Sequence, residues 1–168
     1  MLLESGSGRQ VKSGSNFGVN NVKAKSFQLL TDTVTSQSLI HFSPDAKHIG
    51  FVRNNNLYAV DVASKKEDQL TFDGSENIIN GGFDRVYEEE FSIIDGWRWS
   101  PDSKRIAFWR FDQSAVPTFP LIRYDDPHAT VENMHYPKAG DLNSTVRIGI
   151  VDIETKESVW FDPGAGGD

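Results

Sequence analysis

The chain has 168 residues, 38% of them hydrophobic and 11% aromatic, which is enough for a packed core and excludes a disordered tail. With 24 acidic against 17 basic residues the net charge is −7, so nucleic acid is not expected as a partner, because phosphate binding needs a basic face. There is no cysteine, hence no disulfide framework and no thiolate metal site; no apolar run approaches a membrane span, residues 1–4 do not open like a signal peptide, and nothing sets a compartment.

Residues 1–24 are rich in Gly and Ser and are expected to be a flexible lead-in or the remnant of a preceding blade. Leu39-Ile40-His41-Phe42 is the first clear strand candidate, followed by Ser43-Pro44-Asp45, a turn in which Pro presets φ and the Asp carboxylate can bond the backbone ahead. Strands are then predicted over 48–53 and 57–62, with Asn54-Asn55-Asn56 as a tight turn between them, and a short one begins near Asp68.

This pattern returns. Phe42-Ser43-Pro44-Asp45 through Arg53 lines up with Trp99-Ser100-Pro101-Asp102 through Arg110, 57 residues further on. Leu57-Tyr58-Ala59-Val60-Asp61-Val62 lines up with Ile148-Gly149-Ile150-Val151-Asp152-Ile153, now 91 residues further on, which places an insertion inside the second unit. Four-stranded units repeated around a fixed turn motif predict an all-β fold, a partial β-propeller of about two four-stranded antiparallel blades. The propeller segment is expected over 25–168, with one blade over about 39–72 and the other over about 95–162. Insertions are expected over about 73–94 and about 112–145, the second irregular and extended because it holds Pro117, Pro120, Pro127 and Pro137. An open piece of a propeller exposes blade edges and faces, so self-association is expected.

The first insertion carries Asp84-Arg85-Val86-Tyr87-Glu88-Glu89-Glu90-Phe91, three consecutive carboxylates between aromatic residues. Their mutual repulsion falls if a cation binds among them. In a short helical turn neighbours lie about 100° apart, so Glu89 and Glu90 flank one edge and can share a ligand, whereas Glu88, about 200° from Glu90, faces elsewhere. A primary ammonium suits such a pair, being compact and carrying three donors. A peptide α-amino group, with a reference pKa of about 7.7–8.0, is mostly protonated at neutral pH. The plain alternative is a solvated acidic turn.

Other candidates carry less. His41, His48, His128 and His135 have no metal-ligand spacing, and neither metal nor cofactor is assigned. No Gly-x-Ser-x-Gly elbow occurs, so no catalytic residue is assigned and the chain alone should cleave nothing. Asn143-Ser144-Thr145 fits a glycosylation sequon too short to distinguish from chance.

Asn80-Gly81 with Asp84, Val86-Tyr87-Glu88-Glu89-Glu90, Trp99-Ser100-Pro101-Asp102, Val116-Pro117 and Tyr136-Pro137-Lys138-Ala139-Gly140 leading to Asn143 occur in one order. From about residue 25 onward the chain resembles the N-terminal propeller domain of dipeptidyl-peptidase-IV-like serine peptidases, in the prolyl oligopeptidase group. The resemblance implies that Glu89 and Glu90 bind the free amino terminus of a peptide substrate. It implies too that a separate α/β-hydrolase domain, not contained in this chain, supplies Ser, Asp and His to cut after the second residue, preferentially Pro or Ala. Tyr87, Glu88 and Phe91 are then expected to support the site. Arg85 stands where the family usually has Trp. The rival expectation is a non-catalytic propeller-type interaction module.

Overall fold

The fold, obtained as a computed structural model, is described for residues 3–5, 8–13, 16–21, 26–31, 35–124 and 128–161. Among the described residues it is all-β apart from one helix, with the two expected four-stranded antiparallel meanders, one of them joined by a fifth strand, a separate two-stranded hairpin, and a further four-stranded meander ahead of them. The first sheet runs β1 (Leu3–Ser5), β2 (Gly8–Ser13), β3 (Asn16–Asn21), β4 (Ser26–Leu29). The second runs β5 (Ser38–Phe42), β6 (His48–Arg53), β7 (Asn56–Asp61), β8 (Glu67–Gln69). The third contains β10 (Trp97–Trp99), β11 (Arg105–Asp112), β14 (Thr145–Asp152) and β15 (Ser158–Trp160), and β9 (Ile78–Asn80) joins it along β11. Three strands of the first sheet thus lie within residues 1–24. Gly and Ser have low strand propensity and hide the alternation there; pairing to a neighbouring strand supplies what propensity does not.

Alternation along the strands explains how the sheets stack. In the second sheet both faces are buried. Ile49, Phe51, Tyr58 and Val60 meet Phe17 and Leu30 on the side of the first sheet, where the Phe17 and Phe51 rings lie 5.2 Å apart. Val52, Leu57 and Ala59 meet Trp97, Ile106, Phe108 and Val151 of the third. Each such apolar side chain contributes about 1.5–3 kcal/mol when fully buried, so these two seams hold the three sheets together. In β11 the alternation is one-sided, with Ile106 and Phe108 buried and Ala107 and Trp109 exposed.

The repeat seen in the sequence is a repeat of hydrogen bonds. Ser43 Oγ donates to Asp45 Oδ1 at 2.7 Å and accepts from the His48 N–H, while Asp45 Oδ1 accepts from the Lys47 N–H. Ser100, Asp102, Lys104 and Arg105 repeat each bond, and Ala46 and Ser103 share the positive φ that closes the turn. The two turns also touch, through the Asp45 N–H donating to Ser103 Oγ at 3.1 Å.

The second insertion is more regular than its prolines suggest. Between β11 and β14 the chain makes a hairpin of β12 (Thr118–Arg123) and β13 (Thr130–His135) with six paired positions, Pro120 opposite Asn133. Both strands are edges, so a residue without an N–H can face outward at no cost to the ladder.

Gly50 lies at a close approach between the second and third sheets. A Cβ there would lie 2.4 Å from the Trp97 ring, which is 2% exposed and whose indole N–H donates to the Leu39 carbonyl at 3.1 Å. At the matching position of the repeat, on the open face of β11, the chain has Ala107. Gly50→Ala should therefore destabilise the 168-residue chain by about 1–3 kcal/mol, the usual cost of overpacking a filled core. Ala107→Gly should cost less than 1 kcal/mol, roughly the backbone-entropy effect. Denaturant unfolding of the two variants checks this; equal losses would contradict the packing described.

Candidate functional site

The strand at one edge of the third sheet is interrupted. β10 pairs with Ile106 to Phe108 of β11 and β9 pairs with Arg110 to Asp112 along the same edge, so the chain leaves the sheet after Asn80 and returns at Trp97. Backbone bonds close the neck of this excursion. The Gly81 N–H donates to the Trp109 carbonyl at 2.9 Å, the Trp109 N–H to the Gly96 carbonyl at 2.9 Å, and the Gly96 N–H to the Gly81 carbonyl at 3.1 Å. Gly81 has φ +78, where L side chains are strained, and a Cβ there would come 2.8 Å from Leu57 Cδ2. A Cβ on Gly96 would meet the Gly82 carbonyl oxygen at 2.8 Å. Beside the neck, Asn80 Nδ2 donates to Asp73 Oδ1 and Arg110 Nε to Asp73 Oδ2, each at 2.8 Å. Burial pushes the Asp73 carboxyl up, but the Arg110 and Asn80 bonds outweigh it and hold the group below the ordinary carboxylate value.

The excursion contains α1 (Arg85–Phe91), the expected helical turn with the glutamates on it. Asp84 is its N-cap, Oδ1 accepting from the Tyr87 N–H at 3.1 Å, and Ser92 ends it in the left-handed region. None of the helix residues is buried. What fastens α1 to the sheet is aromatic: Tyr87 stacks on Phe83 at 5.5 Å and meets Phe111 edge-on at 5.1 Å, and Phe83 meets Phe111 at 5.4 Å. Phe91 packs on the outer side of Tyr87 at 5.4 Å and stays exposed.

The three glutamates have different surroundings. Glu88 is half-buried on the wall of a cleft of about 520 Å³ between the second sheet, α1 and the hairpin; Arg85, Glu76, Asn133 and His135 are among its other lining residues. Burial pushes the Glu88 carboxyl above its ordinary value, Arg85 opposes that, and Glu89 and Asp84 add to it. Glu89 and Glu90 are exposed and do not line this cleft. Arg85 Nη2 lies 2.8 Å from Glu89 Oε1, both side chains being about half exposed, and 3.9 Å separates Arg85 Nη1 from Glu88 Oε2. Among the described residues Glu90 has no ion pair.

The charge order of the helix is mixed. Asp84 at the N-cap and Glu88 in the first turn suit the macrodipole, which favours acid first and base last, whereas Arg85 at the first position and the lack of a basic residue in the last turn do not. Arg at i with Glu at i+4 is also the weaker orientation of such a pair, worth at most about 0.3–0.5 kcal/mol. The rule is broken at the C-terminal end of α1, where Glu89 and Glu90 stand exposed.

His41, His48 and His135 make contacts of their own. His41 Nε2 is 2.8 Å from Asp95 Oδ2, His48 Nε2 is 3.7 Å from Asp61 Oδ2, and the His135 ring lies between the Val116 carbonyl and Asn77 Oδ1. Among the described residues no three His, Asp or Glu side chains converge as metal ligands do. Sequence reasoning passed over Ser144, whose Oγ donates to the second cap oxygen, Asp84 Oδ2, at 2.6 Å; a separation of 60 residues left no local signal for it.

A helix bearing acid at its free end, raised from the edge strand of an antiparallel sheet, defines a propeller-type blade with an insertion. Residues 8–168 match the family model described as "Dipeptidyl peptidase IV (DPP IV) N-terminal region", and the chain belongs to that family. Among curated proteins it is 39% identical over 133 residues to a probable dipeptidyl-aminopeptidase B of Talaromyces marneffei, covering 71% of this chain and 15% of the relative. A probable dipeptidyl-aminopeptidase B of Trichophyton verrucosum is 36% identical over 140 residues, covering 74% and 15%. Among solved structures, Porphyromonas gingivalis dipeptidyl peptidase 4 superposes with a TM-score of 0.83 at 28% identity, over 99% of this chain and 23% of that one. A putative dipeptidyl aminopeptidase IV of Bacteroides ovatus superposes with a TM-score of 0.72 at 25% identity, over 94% and 21%. The chain thus spans about 15% of the length of the curated relatives it matches.

Gly81→Ala tests the neck. It should cost about 1–3 kcal/mol, the range for a side chain forced into a strained φ, and should lower hydrogen-exchange protection of the Tyr87 amide more than that of Phe51 in the second sheet. Equal protection changes at the two amides would show that the neck does not hold the helix.

Proposed function

We propose that this chain is the substrate-recognition part of a serine exopeptidase that releases N-terminal dipeptides of the Xaa-Pro or Xaa-Ala type, Glu89 and Glu90 gripping the free amino terminus. An α/β-hydrolase domain elsewhere in the same protein supplies the catalytic residues, and this chain alone is inactive. The observation that carries the reading is the adjacent, exposed carboxylate pair on α1, in a chain whose relatives are named dipeptidyl-aminopeptidases. Exposure leaves the pair open to a ligand, and no basic residue of the last turn of α1 neutralises it.

Arg85 is the competitor such a substrate meets. Its guanidinium already sits on Glu89, which supports the idea that a cation is accommodated there, and it must yield or share the carboxylate when an ammonium arrives. Because an exposed pair of this kind is worth only about 0.3–0.5 kcal/mol, the competition is mild. A peptide ammonium gains two carboxylates at once, and a charge-assisted contact is worth about 1.5–3 kcal/mol.

In the full-length protein, Glu89→Ala and Glu90→Ala should each lower kcat/KM for dipeptide-releasing substrates by about tenfold or more, as loss of one charge-assisted contact implies. Arg85→Ala should lower KM by about twofold, from release of the pair. Steady-state kinetics with a dipeptidyl p-nitroanilide checks all three; unchanged kinetics in both glutamate variants would reject the reading.

We also propose that the 168-residue chain self-associates. Beyond its unpaired edges, the third sheet presents Trp109, Ile150 and Val159 on an exposed face, and the hairpin presents Ile122, Tyr124 and Val131. Sedimentation at micromolar concentration should give a species larger than a monomer; a compact monomer would contradict this.

A further inference from the structure

We infer that Ser144 is a positioning residue for the ammonium clamp, acting through Asp84; the inference rests on the peptide-binding reading of Glu89 and Glu90. Asp84 is 6% exposed, and a buried carboxylate needs a partner for each oxygen. Oδ1 takes the Tyr87 N–H and so caps α1; Oδ2 takes the Ser144 hydroxyl at 2.6 Å. Among the described residues this is the one side-chain hydrogen bond joining the helix cap to the second insertion. Ser144 is half-buried and directly precedes β14, whose first residue, Thr145, pairs with Asp112 of β11. The hydroxyl therefore ties the cap to the sheet from the side opposite the neck.

Leverage makes this bond consequential for binding. α1 has seven residues, buries none of them, and is held by the Tyr87 ring at one point and by its cap at the other. At 1.5 Å per residue Glu90 lies roughly 9 Å from the cap, so a tilt of about 6° moves its carboxylate by roughly 1 Å. Misplacement of that size in a positioning group is enough to cost up to about a hundredfold in rate. Without the hydroxyl, Oδ2 loses its protein donor, the carboxylate turns toward water, and the capping geometry turns with it.

The test uses the full-length protein and a dipeptidyl p-nitroanilide with a free amino terminus. Ser144→Ala should raise KM about five- to tenfold with a smaller change in kcat, part of the effect of a lost charge-assisted bond reaching the clamp. Ser144→Thr, which keeps the hydroxyl, should stay within about twofold of the parent KM. In a Glu89→Ala, Glu90→Ala background, Ser144→Ala should add nothing further, because coupled residues are not additive. A purely structural role would lower Tm in Ser144→Ala while leaving KM unchanged, and that result overturns the inference. Should Ser144→Ala fail to fold, Ser144→Cys replaces it: a KM above that of Ser144→Thr supports the inference and an equal KM overturns it. If the glutamate variants raise KM and Ser144→Ala does not, the inference alone fails. If the glutamate variants leave KM unchanged, the peptide-binding reading fails and takes the inference with it.

Discussion

Three backbone hydrogen bonds joining Gly81, Trp109 and Gly96 are the constraint on which the site depends. They let the edge strand of the third sheet break off after Asn80 and resume at Trp97 with β11 still paired along that edge at both ends. A sheet edge interrupted without such a closure would leave buried amides and carbonyls unpaired, at a cost of about 1–3 kcal/mol each. With it, the excursion becomes a rigid base. The two glycines follow directly, because the strands meet so closely that a Cβ at either has nowhere to go.

On that base the helix is fastened by aromatic packing rather than by burial of its own face. Tyr87 wedges between Phe83 and Phe111, and the capping carboxylate closes the first turn. A seven-residue helix is far below the length at which helices are stable alone, so its order is borrowed from the sheet. The division among the glutamates comes from the same placement: Glu88 turns to the cleft, Glu89 takes Arg85, and Glu90 is left to solvent. A helix shaped for stability would carry its base last and its acid first. This one keeps acid at its start, in Asp84 and Glu88, but its last turn carries acid and no base, a local departure of the kind that accompanies functional sites.

Much of the fold was legible because it is carried by local chemistry. The Ser-Pro-Asp turns each make the same side-chain bonds within five residues, so they are visible in the chain and identical in the structure. The glutamate segment was legible for a similar reason: Asp three residues before Tyr87, aromatics at helical spacing and adjacent carboxylates lie within one short stretch. The first sheet was legible only as one of two alternatives, a flexible lead-in or a blade remnant, since its residues are poor strand formers and owe their conformation to pairing. The hairpin was misjudged from its prolines, whose missing donors matter only in a central strand. Arg85 was visible as a neighbouring cation, but its choice of Glu89 over Glu90 depends on helix geometry, and the bond from Ser144 to Asp84 depends on the fold of the whole third sheet.

The most direct measurement is a crystal structure of the full-length protein with a slowly cleaved Xaa-Pro peptide bound. The peptide's ammonium nitrogen should lie within hydrogen-bond distance of carboxylate oxygens from both Glu89 and Glu90, with the Arg85 guanidinium moved off Glu89 or sharing it. An amino terminus bound elsewhere, with Arg85 still closed on Glu89 and Glu90 facing only solvent, would contradict it.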